Sequence, residues 1–171
     1  ATEAAPRPNL ATSEPSWRSA AQNAEYAKAL QSAERAGYED LVKRLPEKDL
    51  LLLANTARYA GSAARARQAL LGLRSRFARS PSAPVAALML AGLAEDHAKN
   101  PAEAATWLRL FLKESPQGEL SAGARARLLG ILVRQGQQSE ARSVASDYLR
   151  YHPQGPYASK ARAVLGSAPS P

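Results

Sequence analysis

One plan recurs along this chain every 37 or 38 residues, and few folds accommodate such a period. The clearest copy runs from Gly136 to Pro153: a turn glycine, a small residue at Ala141, Ala145 and Tyr148 on one helical face, and a proline stop. One step back, Lys99, Ala104, Leu108, Phe111 and Pro116 stand at the same offsets, and two steps back so do Gly61, Ala66, Leu70 and Leu73, with Ala78 in the proline slot. A third step reaches Asn23, just before Tyr26, Ala29 and Leu30. A period of this size marks helical hairpins stacked side by side, each burying its apolar face only against its neighbours.

The residue types agree. Apolar residues make up 45% of the 171 residues and are mostly Ala and Leu, while aromatics are only 6%, a balance that favours close-packed helices over sheet. With no cysteine, disulfides and thiolate chemistry are excluded. No apolar run approaches the roughly 18 residues of a membrane span, and no signal peptide stands in the sequence. Because the chain opens at Ala1 and its single methionine is Met89, it is expected to be a mature or excised part of a longer protein, joined to a membrane only through a segment outside it.

Read in order, residues 1–12 are rich in Ala and Pro and are expected to be a disordered linker. Residues 13–165 are expected to form the repeat domain and 166–171 a flexible tail. Ser13 offers an N-cap with Glu14 and Pro15 in the first turn, and Trp17 is the first large anchor. A second helix carries Tyr26, Ala29, Leu30 and Ala33 and stops at Gly37. A turn or two from Tyr38 to Leu45 leads to Pro46. The next helix, 47–60, is apolar nearly all round at Leu50, Leu51, Leu52 and Leu53, so it is expected to lie between two neighbours. Its hairpin partner spans 63–78, with Ala66, Leu70, Leu73 and Phe77 in one stripe. The third hairpin pairs 83–98 with 101–114 across Asn100 and Pro101, and the fourth pairs 119–135 with 138–151. A last helix over 157–165 is expected to cover the open end of the stack with Ala158, Ala161 and Leu165, since a terminal repeat otherwise leaves an apolar face in water.

The chain resembles the tetratricopeptide repeat family. The pattern W-x2-L-G-x2-Y, A-x3-F, P is kept best in its second half, at Ala66 and Leu70, at Ala104, Leu108 and Pro116, and at Ala141 and Pro153, while Ala54 and Gly92 take the small slot of the first half. In the last repeat Leu129 fills that slot with Gly130 beside it, and the aromatic slots hold Ala57, Glu95 and Leu132. The stretches LANTARYAG, AATWLRLFLKESPQG and YLRYHPQGPYASKARAVL are similar to bacterial cell-envelope repeats, found in outer-membrane lipoproteins, Tol-associated periplasmic proteins and the C-terminal region of FecR-type sigma regulators. The resemblance implies an all-α, right-handed solenoid of about four antiparallel hairpins with a short capping helix. It also implies a non-catalytic protein-interaction scaffold in the bacterial periplasm or cell envelope.

Catalytic and metal chemistry find little support in the residues. His97 and His152 lack a second ligand at a helical spacing, and Glu39 with Asp40 would need a pocket to shift their pKa values. Phosphate-binding glycine loops and serine elbows are missing from the sequence, and neither a cofactor nor a metal is expected. The formal net charge of +8 is more telling. Between Asp49 and Glu95 no acidic residue occurs, whereas Arg58, Arg65, Arg67, Arg74, Arg76 and Arg79 do. Such a stripe suits nucleic acid or another polyanion, which is the alternative function for Arg58 to Arg79. Helical phase favours a duller role: Arg65 and Arg76 lie on one flank of the Ala66, Leu70, Leu73 stripe and Arg67 and Arg74 on the other, their stems on apolar surface and their guanidinium groups in water.

By the resemblance, the first helix of each hairpin lines a concave face that holds an extended peptide or a partner helix. Matching positions are Lys48, Leu51, Asn55, Arg58 and Tyr59, then Met89, Leu93 and His97, then Arg127 and Arg134. Of the family's carboxylate clamp only Asn55 and Arg127 match, with Leu51 where a lysine is expected. A mixed apolar and basic groove suits a protein segment with an apolar anchor and acidic flanks. The partner-binding set is therefore Leu51, Asn55, Arg58, Tyr59, Met89, Leu93, Arg127 and Arg134.

Overall fold

A computed structural model of the protein describes residues 16–166. The expected linker, the Ser13 cap with Glu14 and Pro15, and residues 167–171 of the expected tail lie outside the described residues. Within them the chain is all-helical: α1 (Trp17–Gln22), α2 (Tyr26–Arg35), α3 (Tyr38–Arg44), α4 (Glu47–Tyr59), α5 (Ala63–Arg76), α6 (Ser82–Asp96), α7 (Pro101–Glu114), α8 (Ser121–Arg134), α9 (Gln138–Tyr151) and α10 (Ala158–Gly166). Helices α1/α2, α4/α5, α6/α7 and α8/α9 form hairpins, each hairpin's second helix packs on the first helix of the next, and α10 packs on α9. This is a helical repeat solenoid.

Local chemistry explains most of the boundaries. Ser16 caps α1, accepting the Ser19 N–H on its hydroxyl at 3.3 Å. Asn100 does the same for α7, accepting the Glu103 N–H at 3.1 Å, with Pro101 in the first turn where no amide hydrogen is needed. At the start of α6 the acceptor comes from the preceding hairpin: Glu47 Oε1 takes the Ser82 N–H at 3.1 Å. Helix α5 stops at Arg76, two residues short of its expected end. Phe77 has left the helix at φ −129° and is only partly buried against the core. At the far end Gly166 belongs to α10 rather than to a tail.

Two apolar clusters run through the stack. The first takes Trp17, Tyr38, Leu50, Leu53, Leu70 and Leu73, the second Leu108, Phe111, Leu129, Ile131, Leu132 and Tyr148, and they meet at α6. Ala86, Leu90 and Leu93 of α6 face the first cluster, whereas Ala87, Ala91 and Ala94 face the second. An apolar circumference is therefore most fully used by α6. In α4, Leu50 and Leu53 are buried while Leu51 and Leu52 are half-buried.

Helix α3, read from sequence as a turn or two, is a tightly seated addition to the hairpin plan. Tyr38 is buried and donates its hydroxyl to the Arg65 carbonyl at 2.9 Å, burial pushing its pKa up, and Arg76 Nη1 donates to the Val42 carbonyl at 2.7 Å. The last hairpin is closed by Tyr148, fully buried, whose hydroxyl accepts the Tyr157 N–H at 3.1 Å and whose ring meets Tyr157 edge-on at 6.2 Å. With Ala158 and Ala161 buried, α10 covers the end of the second cluster.

Candidate functional site

The arginine run is organised along the stack. Arg65 holds Glu34 through two bonds of 2.6 and 2.8 Å, Arg67 pairs with Glu103, and Arg74 holds Glu114 through two bonds of 2.8 Å while donating to the Ala83 carbonyl at 2.8 Å. Arg18 with Asp49 (2.8 Å), Arg127 with Glu95 (2.6 Å) and Arg109 with Glu140 (2.6 Å) extend the series. Each pair joins residues 31 to 40 apart, because a helix of one hairpin lies beside its counterpart in the next. The expectation that these guanidinium groups simply stay in water is corrected at Arg65, Arg67, Arg74 and Arg76, which bond to carboxylates or a carbonyl of another helix. Arg58 and Arg79 remain exposed in the run. The more exposed of these pairs are individually worth about 1 kcal/mol or less, whereas Arg74 and Glu114 are largely buried; in every case the geometry fixes how one hairpin is set against the next. Arg67 holds the Glu103 carboxyl below the usual carboxylate range, helped by a bond from Trp107, and Arg109 does the same for Glu140.

The eight residues of the expected binding set separate into three environments. Asn55, Arg58 and Tyr59 sit together at the end of α4. The Arg58 guanidinium lies 4.1 Å from the Tyr59 ring centre, and its Nη2 is 3.5 Å from Asn55 Oδ1. Tyr59 is 56% exposed and stacks on Tyr26 of α2 at 4.8 Å and 26°. The sequence reading did not connect Tyr26 with Tyr59; the period had already placed Tyr26 beside the first turn slot.

Leu51, Met89 and Leu93 form the middle. Leu51 and Met89 are half-buried against the first cluster, and Leu93 is only 7% exposed, so it belongs to the core more than to the surface. Lys48 and His97 are exposed.

Arg127 and Arg134 belong to the third environment, a cavity of about 530 Å³ between the α6–α7 turn, α8 and α10. Arg127 gives both of its bonds to Glu95 Oε2, at 3.0 and 2.6 Å. The sequence reading left Lys99, Tyr157 and Lys160 out of this group, although they line the same cavity. Lys99 was nevertheless visible in the repeat as the residue in the slot of Gly61 and Gly136.

On the opposite side of α8, Arg125 is 4% exposed, which pushes its pKa down. Its Nη2 donates to the Pro116 carbonyl at 2.6 Å, its guanidinium lies 4.5 Å from the Tyr151 ring centre, and its Nη1 has no hydrogen-bond partner among the described residues. The Pro116 contact recurs one repeat later, where Arg162 donates to the Pro153 carbonyl at 2.8 Å. It ties a helix to the turn nine residues before it.

His152 ends α9 with Nε2 3.5 Å from Ser121 Oγ. Among the described residues there is no group of three His, Cys, Asp or Glu side chains able to hold a metal, and no helix long and apolar enough to cross a membrane.

No curated protein matches the chain. A family model described as a tetratricopeptide repeat-like domain matches residues 20–158, which takes in the helices from α2 through α9. Domains of this kind generally mediate protein interactions. With the hairpin stack, its recurring turn slots and that match over most of its length, the chain belongs to the tetratricopeptide repeat-like family.

Proposed function

We propose that this domain is a non-catalytic interaction scaffold of a larger bacterial cell-envelope or regulatory protein, and that it holds a segment of a protein partner across α4, α6 and α8. The observation that carries the reading is the Arg58, Tyr59 and Tyr26 stack, an aromatic and cationic platform left open to solvent with Tyr59 56% exposed. Rigid amphipathic side chains of this kind anchor protein contacts at low entropic cost. Asn55 supplies amide donors and an acceptor for an extended backbone beside the platform, and half-buried Met89 supplies adaptable apolar contact. The segment that fits has an apolar or aromatic anchor flanked by acidic residues, read by Arg58 at one end and Arg134 at the other. Leu51 and Leu93 form the floor, and Arg127 acts through its tie to Glu95. The envelope assignment rests on the similarity of three sequence stretches to repeats of that compartment.

Site-specific photo-crosslinking tests this reading. A benzoylphenylalanine at position 59 should capture a discrete partner in native extract, and one at Ser146, exposed on α9, should not. An Asn55→Ala, Arg58→Ala variant carrying the same probe at position 59 should lose the adduct while keeping its helical spectrum. Equal capture from positions 59 and 146 would overturn the assignment, and capture dominated by nucleic acid would favour a polyanion-binding role instead.

A further inference from the structure

We infer that the cavity between the α6–α7 turn, α8 and α10 is a binding site for a compact oxyanion of charge two or more, of the phosphate monoester class. This goes beyond the partner-groove reading and does not depend on it.

Charge is the first reason. Lys99, Arg127, Arg134 and Lys160 line the cavity against a single carboxylate, Glu95, which is already engaged by Arg127. Arg134, Lys99 and Lys160 have no acidic partner among the described residues, in contrast to Arg18, Arg65, Arg67, Arg74, Arg109 and Arg127, each of which pairs with a carboxylate of a neighbouring hairpin. Uncompensated like charges gathered in one concavity repel each other and raise the local concentration of anions.

Convergence is the second. The family's small slot holds Leu129 here, fully buried, and the opening falls instead on Gly130. A Cβ on residue 130 would lie 3.4 Å from Arg134 Nη1 and 3.5 Å from Lys160 Nζ. Two cationic nitrogens are thus aimed at one point above a residue without a side chain. That arrangement fits one small multivalent anion better than a string of separate carboxylates: the Arg fork can bind two oxygens and the lysine a third. Tyr157 also lines the cavity.

Backbone strain is the third. The chain has glycine at the left-handed turn positions 37, 61 and 136, with φ of 86°, 80° and 70°, but Lys99 occupies the corresponding turn at φ 50°. A β-carbon is disfavoured there, and an exception in a concave site is the pattern expected where a side chain is needed. Ala24 is also left-handed, at φ 58°, so strain alone would not identify a site. Lys99 differs in placing a cation on the cavity wall.

The test is a titration of the isotope-labelled 171-residue chain with inorganic phosphate and, separately, with phosphoserine amide, following backbone amide shifts near Lys99, Gly130 and Arg134. Saturable shifts confined to these segments are expected for the wild type. Arg134→Gln or Lys160→Gln should each weaken binding about tenfold, as expected for loss of one charge-assisted hydrogen bond. Gly130→Leu keeps every charge but fills the convergence point, and should abolish the shifts. Lys99→Gly should weaken binding while raising Tm, which keeps the test alive if Gly130→Leu fails to fold. Lys43→Gln, the same charge change at an exposed site on α3, should have no effect. Tighter binding of phosphoserine amide would point to a group borne on a partner segment, and equal binding to a free anion; both support the site. The Asn55→Ala, Arg58→Ala variant should titrate like wild type, so failure of the groove reading is told apart from failure of this one. Unchanged binding by Gly130→Leu, or equal weakening by Lys43→Gln and Lys160→Gln, would overturn the inference.

Discussion

Gly72 of α5 stands against Val42 of α3 so closely that a Cβ on residue 72 would overlap Val42 Cγ1, well inside van der Waals contact distance. The hydrogen bond from Arg76 to the Val42 carbonyl at 2.7 Å holds α3 at that distance. Gly72→Ala gains about 1 kcal/mol of helix propensity but forces α3 outward, and overpacking of this kind typically costs 1–3 kcal/mol. The expected result is a net loss of up to about 2 kcal/mol in urea unfolding. Gly123→Ala in α8, where a Cβ meets nothing within 4 Å, should instead gain about 0.5–1 kcal/mol. Stabilisation by both substitutions would show that α3 is not held where it is described.

Lys99→Gly relieves a left-handed β-carbon and should stabilise the fold by about 1 kcal/mol. That is a rise of roughly 2–4 °C in Tm for a chain of this size. Thermal unfolding checks it independently of any ligand, and a drop in Tm would show that the lysine side chain contributes packing that outweighs the strain.

Arg125→Ala and Arg162→Ala remove the same contact in successive repeats. The first bond, to Pro116, comes from a guanidinium that is 4% exposed, while the second, to Pro153, is exposed. Loss of a buried charge-assisted bond costs about 1.5–3 kcal/mol, and an exposed one is expected to cost about 0.5 kcal/mol or less. Equal losses in chemical denaturation would refute the burial argument.

Stability should fall on the acid side. The Glu103 and Glu140 carboxyls are held below their ordinary value of 4.5 by Arg67 and Arg109, so the folded form binds fewer protons than the unfolded one. Their contribution is complete above about pH 4.5 and is lost as pH falls from there through the depressed folded values. A Glu103→Gln, Glu140→Gln variant should be less stable than wild type at pH 7 and converge on it at low pH. Parallel curves from pH 7 down to pH 3 would count against both pairs.

The hairpin count, the turn slots and the core stripes were legible because a solenoid's apolar face is periodic and contacts only near neighbours, so Ala66, Leu70, Ala104, Leu108, Ala141 and Tyr148 announce themselves by spacing alone. All six are buried. Helix ends were less so. Whether α5 continues past Arg76 depends on where Phe77 finds its partners, not on local propensity.

The fate of the arginines was decided by the tertiary structure. Arg65 and Glu34, or Arg109 and Glu140, are 31 residues apart and become neighbours only when hairpins are stacked in register. Composition shows a +8 chain, and only the stack shows which cations are spent on carboxylates and which are left over. The same holds at the α6–α7 turn: the repeat places Lys99 in a glycine slot, but it takes the packing of α10 on α9 to carry Lys160 over Gly130 and make a cavity of it. Periodic burial is a local property that a sequence carries along its length. Convergence of charges from different repeats is set by rigid-body placement, which no single stretch encodes.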